Sequence, residues 1–121
     1  LSEKPLTICD TGHNKDGLKQ VVQQIRQMNF NKLHFVFGMV SDKDIPGILK
    51  LLPKNATYYF CKPDIPRGLD AEILKKEADA VGLSGKTHLS VSMALKAARE
   101  NAKEEDMVFV GGSTFVVAEV L

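Results

Sequence analysis

The chain has 121 residues, with 16 Lys and Arg against 15 Asp and Glu, a net charge of +1, 44% apolar residues and 26% charged ones. This is the balance of one globular domain, and such a length buries roughly two-thirds of its unfolded surface without help from disulfides or metal. It argues against a basic nucleic-acid clamp and against a membrane span, since the longest apolar run, 34–40, is far too short; a signal peptide is not expected either, because charge and proline arrive at Glu3, Lys4 and Pro5.

The elements alternate along the chain. Leu6 to Cys9, closed by Asp10, is a short apolar, β-branched run that reads as a buried strand. After the turn Thr11-Gly12-His13-Asn14, apolar residues fall at Leu18, Val21, Val22, Ile25 and Met28, the spacing of one helix face. A second strand is predicted over Leu33 to Met39. Ser41-Asp42-Lys43-Asp44 then supplies capping side chains for a helix with Pro46 in its first turn and Ile45, Ile48, Leu49 and Leu52 inward. Ala56 to Cys61 reads as the third strand, with Tyr58, Tyr59 and Phe60 showing the β preference.

Lys62 to Gly68 is a proline-containing loop. A helix is predicted from about Asp70 to Val81, with Leu69, Ile73, Leu74, Ala78 and Val81 inward and Gly82 as its stop. A weak strand follows over about Lys86 to Leu89, and Ser90 caps a helix whose core face is Val91, Ala94, Leu95 and Ala98. Met107 to Val110 is the last strand, and Gly111-Gly112-Ser113 opens a short terminal helix. Strands alternating with amphipathic helices imply crossover connections. The expected fold is therefore α/β, a doubly wound, mostly parallel twisted sheet with helices on both faces, Rossmann-like, in one domain spanning 1–121. Cys9 and Cys61 have no metal-ligand spacing and read as buried thiols in a reducing cytoplasm.

In such sheets ligands sit beyond the carboxyl ends of the strands, where strand order reverses. The first strand delivers Asp10-Thr11-Gly12-His13-Asn14 there. A carboxylate can accept two adjacent ribose hydroxyls, and His13 lies near a helix start that favours an anion. Equally, Asp10 and Asn14 can cap that helix and His13 can be a solvated turn residue. The last strand delivers Gly111-Gly112-Ser113-Thr114, whose amides and hydroxyls suit a carboxylate or phosphate, or make an ordinary capped turn. Arg67, in Pro66-Arg67-Gly68, binds an anion or lies on the surface.

Ala80-Val81-Gly82-Leu83-Ser84-Gly85-Lys86-Thr87 imitates phosphate-loop spacing, but a helix precedes it and a strand follows, the reverse of what phosphate binding needs. It reads as a helix stop and turn. His34 reads as a satisfied packing residue and His88 as a histidine without an obvious partner. Glu72, Lys75, Lys76, Glu77 and Asp79 form a solvated helix face, and the same reading covers Lys96 to Asp106.

Four blocks in register resemble one family. Asp10-Thr11-Gly12-His13-Asn14 with Asp16-Gly17-Leu18 is similar to the Asp-x-Ala-His-Asn-Pro motif that opens the C-terminal domain of Mur-type ligases. Within that superfamily, Phe37-Gly38-Met39-Val40-Ser41-Asp42-Lys43-Asp44 resembles the Gly-x-x-x-Asp-Lys-Asp segment of the folylpolyglutamate and dihydrofolate synthases. Pro66-Arg67-Gly68-Leu69-Asp70-Ala71-Glu72 and the stretch from Val110 to Val120 resemble later segments of that branch. Thr11 stands where the family has a small residue, Lys15 replaces its proline, and Gly112 and Thr114 vary its Gly-Ser-Leu pattern.

The resemblance implies an ATP- and magnesium-dependent reaction. A substrate carboxylate, of dihydropteroate or a folate, is phosphorylated, and the amine of L-glutamate attacks the acyl phosphate. It implies that Asp10 holds the ATP ribose, that His13 lies near nucleotide and glutamate, that Asn14 orients the loop, and that Ser113 binds the glutamate carboxylate. The catalytic set is incomplete in this chain. The family's phosphate loop and magnesium ligands belong to a central ATPase domain, which becomes the expected partner, with neither nucleic acid nor membrane expected. The alternatives are the same domain of another Mur-type amino-acid ligase and a non-catalytic doubly wound binding module.

Overall fold

A computed structural model describes residues 6–9, 15–41 and 43–120. Five strands and five helices alternate in it: β1 (Leu6–Cys9), α1 (Lys15–Arg26), β2 (Leu33–Phe37), α2 (Ile45–Leu49), β3 (Ala56–Phe60), α3 (Ala71–Ala80), β4 (Ser84–Thr87), α4 (Val91–Asn101), β5 (Met107–Gly111) and α5 (Thr114–Ala118). The strands form one sheet in the order β1-β5-β2-β3-β4, every neighbouring pair parallel. The doubly wound α/β expectation holds.

Side-chain alternation divides the core. Phe35, Phe37, Tyr58, Phe60, Met107 and Phe109 point to one face, where Leu18, Val21 and Ile25 of α1, Ile48 and Leu49 of α2, and Leu74 and Ala78 of α3 cover them. Val36, Tyr59, Val108 and Val110 point to the other, under Val91, Ala94 and Ala98 of α4 and Val116 and Val117 of α5. The strands β2 and β5, covered on both faces, are buried throughout.

Local signals act where they were read. Asp44 caps α2, its side chain accepting from the Gly47 amide, while Asp70, expected as the first residue of the next helix, is instead the cap of α3 and accepts from the Glu72 and Ile73 amides. Ser90 Oγ accepts from the Met93 amide at 3.1 Å. At Gly82, with φ +86°, the Leu83 N–H reaches back to the Ala78 carbonyl at 3.0 Å, the closing bond of a Schellman turn.

Several expectations are corrected. β2 stops at Phe37 rather than Met39, and beyond it Val40 makes an isolated antiparallel bridge to Gly68. β4 covers Ser84–Thr87, not Lys86 to Leu89; its pairing partner β3 fixes the register from Thr57↔Ser84 to Phe60↔Thr87. Ile73 is 52% exposed rather than inward, since Leu74 and Ala78 already fill the face that α3 turns to the sheet. Cys61 is buried, its Sγ donating to the Phe37 carbonyl at 3.6 Å and its thiol pushed up to about 12 by burial and then Glu119, whereas Cys9 is only partly buried.

Asp106 lies in a run of charges expected to be solvated, yet it is 3% exposed. Its carboxylate accepts from His34 Nε2 at 2.8 Å and from the Lys103 amide at 3.0 Å. His34 Nδ1 meets the Tyr59 hydroxyl at 2.8 Å, and Asn101 Nδ2 donates to the same hydroxyl at 3.3 Å. His34 is thus the satisfied buried histidine that its apolar neighbours suggested. Burial alone would raise Asp106, but the Lys103 amide and the His34 ring outweigh it and hold the carboxyl below its usual range. A depressed carboxylate contributes stability that is present above the unfolded-state pKa and lost as pH falls through the folded one. Asp106→Ala strands the His34 donor and is expected to lower stability by about 1–3 kcal/mol at pH 7. In urea unfolding the gap from wild type should narrow as pH falls below the carboxylate range; equal stability at pH 7 would rule out this role.

Candidate ligand cleft at the carboxyl edge

The chain leaves β1, β2 and β3 towards the α1–α3 face and β5 towards the other, so strand order reverses around β5 and a crevice opens at its carboxyl end. Backbone approach there is close. Gly112 has φ +101°, and a side chain on it would run into the Gly38 carbonyl and the Phe37 ring. A Cβ on Gly38 would stand 2.7 Å from the Cys61 carbonyl oxygen. Only glycine at both positions lets the turns after β2 and β5 pack this tightly.

Three loops are stitched around the crevice. The Ser41 amide donates to the Arg67 carbonyl and the Leu69 amide to the Met39 carbonyl, both at 2.8 Å. The Asp64 amide donates to the Glu119 carboxylate, also at 2.8 Å, tying the loop after β3 to the end of α5. Ser113 caps α5, its Oγ accepting from the Phe115 amide at 3.1 Å.

Between these loops lies a cleft of about 330 Å³, within the size range of small-ligand sites, lined by Val40, Lys43, Arg67, Gly112, Ser113, Thr114 and Phe115. Lys43 follows β2, Arg67 follows β3 and Ser113 follows β5, so three separate loops bring two cations and a hydroxyl to one space. The Ser113 oxygen already accepts from the Phe115 amide, which leaves its own O–H to donate. Two cations and a hydroxyl donor suit carboxylate groups. A larger hollow, about 590 Å³, runs along α4 past Leu95 and Arg99 to Val120, but no strand end delivers a residue to it.

The other candidates sort out plainly. Asp10, His13 and Asn14 lie outside the described residues, which resume with α1 at Lys15. Lys15 Nζ pairs with Asp44 at 2.6 Å, joining the start of α1 to the cap of α2. Lys86 and Thr87 of the phosphate-loop imitation are strand residues, and Gly82 is a helix stop, so no amide cradle forms there. His88 stacks on Tyr59 at 5.6 Å, away from the cleft, with its pKa lowered by burial and then by Lys86. Among the described residues no three His, Cys, Asp or Glu side chains come together as metal ligands. No helix among them is long and apolar enough to cross a membrane. Arg67, which the sequence left between anion site and surface, stands beside Ser113; their separation by 46 positions in the chain hid this from any local reading.

Comparison with known proteins identifies the family and the fold. The family model for the Mur ligase glutamate ligase domain matches residues 1–114. A probable bifunctional folylpolyglutamate synthase/dihydropteroate synthase of Haloferax volcanii is 37% identical over 120 residues, covering 98% of this chain and 14% of that protein. The structure of Escherichia coli FolC with DHPP and ADP superposes with a TM-score of 0.89 at 34% identity, over 99% of this chain and 28% of that one. A bifunctional folylpolyglutamate synthase/dihydrofolate synthase with Mn, AMPPNP and L-glutamate bound gives a TM-score of 0.88 at 34% identity, over 99% and 29%. The chain therefore spans well under a third of the length of these relatives. On the family-model match over residues 1–114 and the superposition over nearly the whole chain, the chain belongs to the Mur ligase glutamate ligase domain family.

Proposed function

We propose that this chain is the C-terminal domain of a longer, cytoplasmic ATP-dependent ligase that joins L-glutamate to folates, dihydropteroate or both. The observation that carries the proposal is the convergence of Lys43, Arg67 and Ser113 on one cleft, because an incoming dicarboxylic amino acid needs charge and hydroxyl donors set apart for its carboxylates. The likeness to a synthase structure with L-glutamate bound supports it.

In this reading ATP activates the acceptor carboxylate as an acyl phosphate, with magnesium held by residues of a central ATPase domain. This chain's part is binding and orientation. Lys43, Arg67 and the Ser113 hydroxyl fix the carboxylates of glutamate so that its amine faces the activated carbonyl. Holding two reactants in register converts a bimolecular step into a nearly unimolecular one. Asp10 would accept the ribose hydroxyls, His13 would lie between nucleotide and amino acid, and Asn14 would orient their loop beyond β1. The site is completed when the central domain closes on this one, which shuts water away from the acyl phosphate.

The test is a substrate panel on the full-length protein. Glutamate-dependent ADP release is expected with dihydropteroate or tetrahydrofolate as acceptor; turnover only with a cell-wall peptide precursor would transfer the chain to another Mur-type branch. Residues 1–121 alone should release no ADP, and sustained ligase activity from them would sink the two-domain reading.

Two substitutions separate the two ligands. Ser113→Gly keeps an acceptable helix cap but removes the hydroxyl, and should raise the KM for glutamate about tenfold or more while the KM for ATP holds. Asp10→Ala should do the converse, raising the KM for ATP. If either change moved both constants equally, the assignment of separate subsites would fail.

A further inference from the structure

The loop after β3 folds back on itself. The Ile65 amide donates to the Pro63 carbonyl at 2.8 Å and the Gly68 amide to the Ile65 carbonyl at 3.0 Å, while a side chain on Gly68 would run into the Pro63 carbonyl. The two halves of the loop are packed together, so holding Asp64 also holds the backbone at Arg67. The ties to the turn after β2, from the Ser41 amide to Arg67 and from the Leu69 amide to Met39, both grip the later half. The earlier half is gripped from the other side, where the Asp64 amide donates to the Glu119 carboxylate at 2.8 Å.

Glu119 is itself firmly seated. It is the C-cap of α5, its amide donating to the Val116 and Val117 carbonyls, and those two valine side chains are buried at 0% and 2% exposure. At the other end of the same helix, Ser113 is the N-cap and lines the cleft. The two caps are six positions apart, so at about 1.5 Å per residue α5 is a strut of about 9 Å, with a hydroxyl at one end and a grip on the neighbouring loop at the other. A carboxylate accepting from a backbone N–H is a directional, charge-assisted contact, and it narrows the positions open to the loop before any ligand arrives.

We propose that Glu119 is a positioning residue that sets the width of the cleft: by gripping the Asp64 amide it holds the loop after β3 at a fixed distance from Ser113. The proposal rests on the reading of the cleft as the glutamate subsite. It concerns the backbone of that loop, and through it the place from which the Arg67 side chain enters the cleft. One short helix then supplies both the hydroxyl and the spacing of the opposite wall.

The test uses the full-length protein, with KM measured separately for L-glutamate and for ATP and stability followed by urea unfolding. Glu119→Ala removes the acceptor and should raise the KM for glutamate about two- to five-fold, with the KM for ATP and the urea midpoint unchanged. Glu119→Gln keeps an acceptor oxygen at the same reach and should stay near the wild-type value. Asp64→Pro removes the donor instead. Asp64 is the centre of the Pro63–Ile65 turn, and no non-glycine residue among those described has a positive φ, so the turn is an inverse γ-turn whose central φ proline adopts. This change should raise the same KM by a similar factor, and both changes together should do no more than either alone. Should Asp64→Pro fold poorly, the comparison of Glu119→Ala with Glu119→Gln decides. A glutamine variant as impaired as the alanine one, effects that multiply when combined, or an equal rise in the KM for ATP overturns the positioning role. So does a lowered urea midpoint with an unchanged KM for glutamate, which would make the tie one of stability alone. If Ser113→Gly raises the KM for glutamate while Glu119→Ala does not, the subsite stands and this inference alone falls. If Ser113→Gly leaves that KM unchanged, the subsite reading falls and takes this one with it.

Discussion

The last strand of the chain lies between β1 and β2, and the rest of the molecule is arranged around that insertion. To get there, α4 must carry the chain back across the sheet on the face opposite α1, α2 and α3. Once β5 is in place, the chain can leave it only on the α4 face, so neighbouring strands discharge their loops in opposite directions. That divergence makes a crevice without any special loop sequence. Its cost is crowding at the strand ends, and the Gly38 and Gly112 contacts show how close the backbones come. A side chain at either position would hold the loops apart and spread the groups that line the cleft.

The opposite end of the sheet is built on different physics. There His34, Asp106, Tyr59 and Asn101 link β2, β3, the entry to β5 and the end of α4 through hydrogen bonds, most of them buried. Such a network adds little net free energy when made but is costly to break, because each partner removed leaves another donor or acceptor dry. It also sets how far β5 enters the sheet, since Asp106 directly precedes the strand. One end is thus pinned by directional polar contacts while the other stays open, and loops on a rigid scaffold are well suited to carry binding groups.

Legibility in the sequence follows the range of the interactions. Element order, most helix caps and the Gly82 stop are local, so Asp44, Ser90 and Ser113 are legible from their neighbours alone. The start of β4 could not, because Ser-Gly-Lys-Thr has little strand preference and is drawn into the sheet by pairing with β3. Ile73 matches the helical period, but Leu74 and Ala78 fill the buried face of α3 and leave it outside. Asp106 sits in a charged run, and its partner His34 is 72 positions away in sequence. The same holds for the cleft: Arg67 and Ser113 are candidates from the sequence and Lys43 is only a motif position, and their meeting depends on β5 lying beside β2, which no short motif encodes.

What the described residues offer is also chemically one-sided. Lysine, arginine and a hydroxyl converge where a carboxylate would sit, whereas the stretch that most resembles a phosphate cradle is used up as a helix stop and an edge strand. A triphosphate is best held by successive amides aimed at it from a strand–loop–helix turn, with a metal to offset charge. Recognising a small dicarboxylate needs none of this, only a few cations placed at fixed separations. That difference makes a nearly neutral domain compatible with the proposed binding of a dicarboxylic amino acid. Its charges need not create a broad positive field for such a ligand, because strand order brings two of them, Lys43 and Arg67, to one cleft.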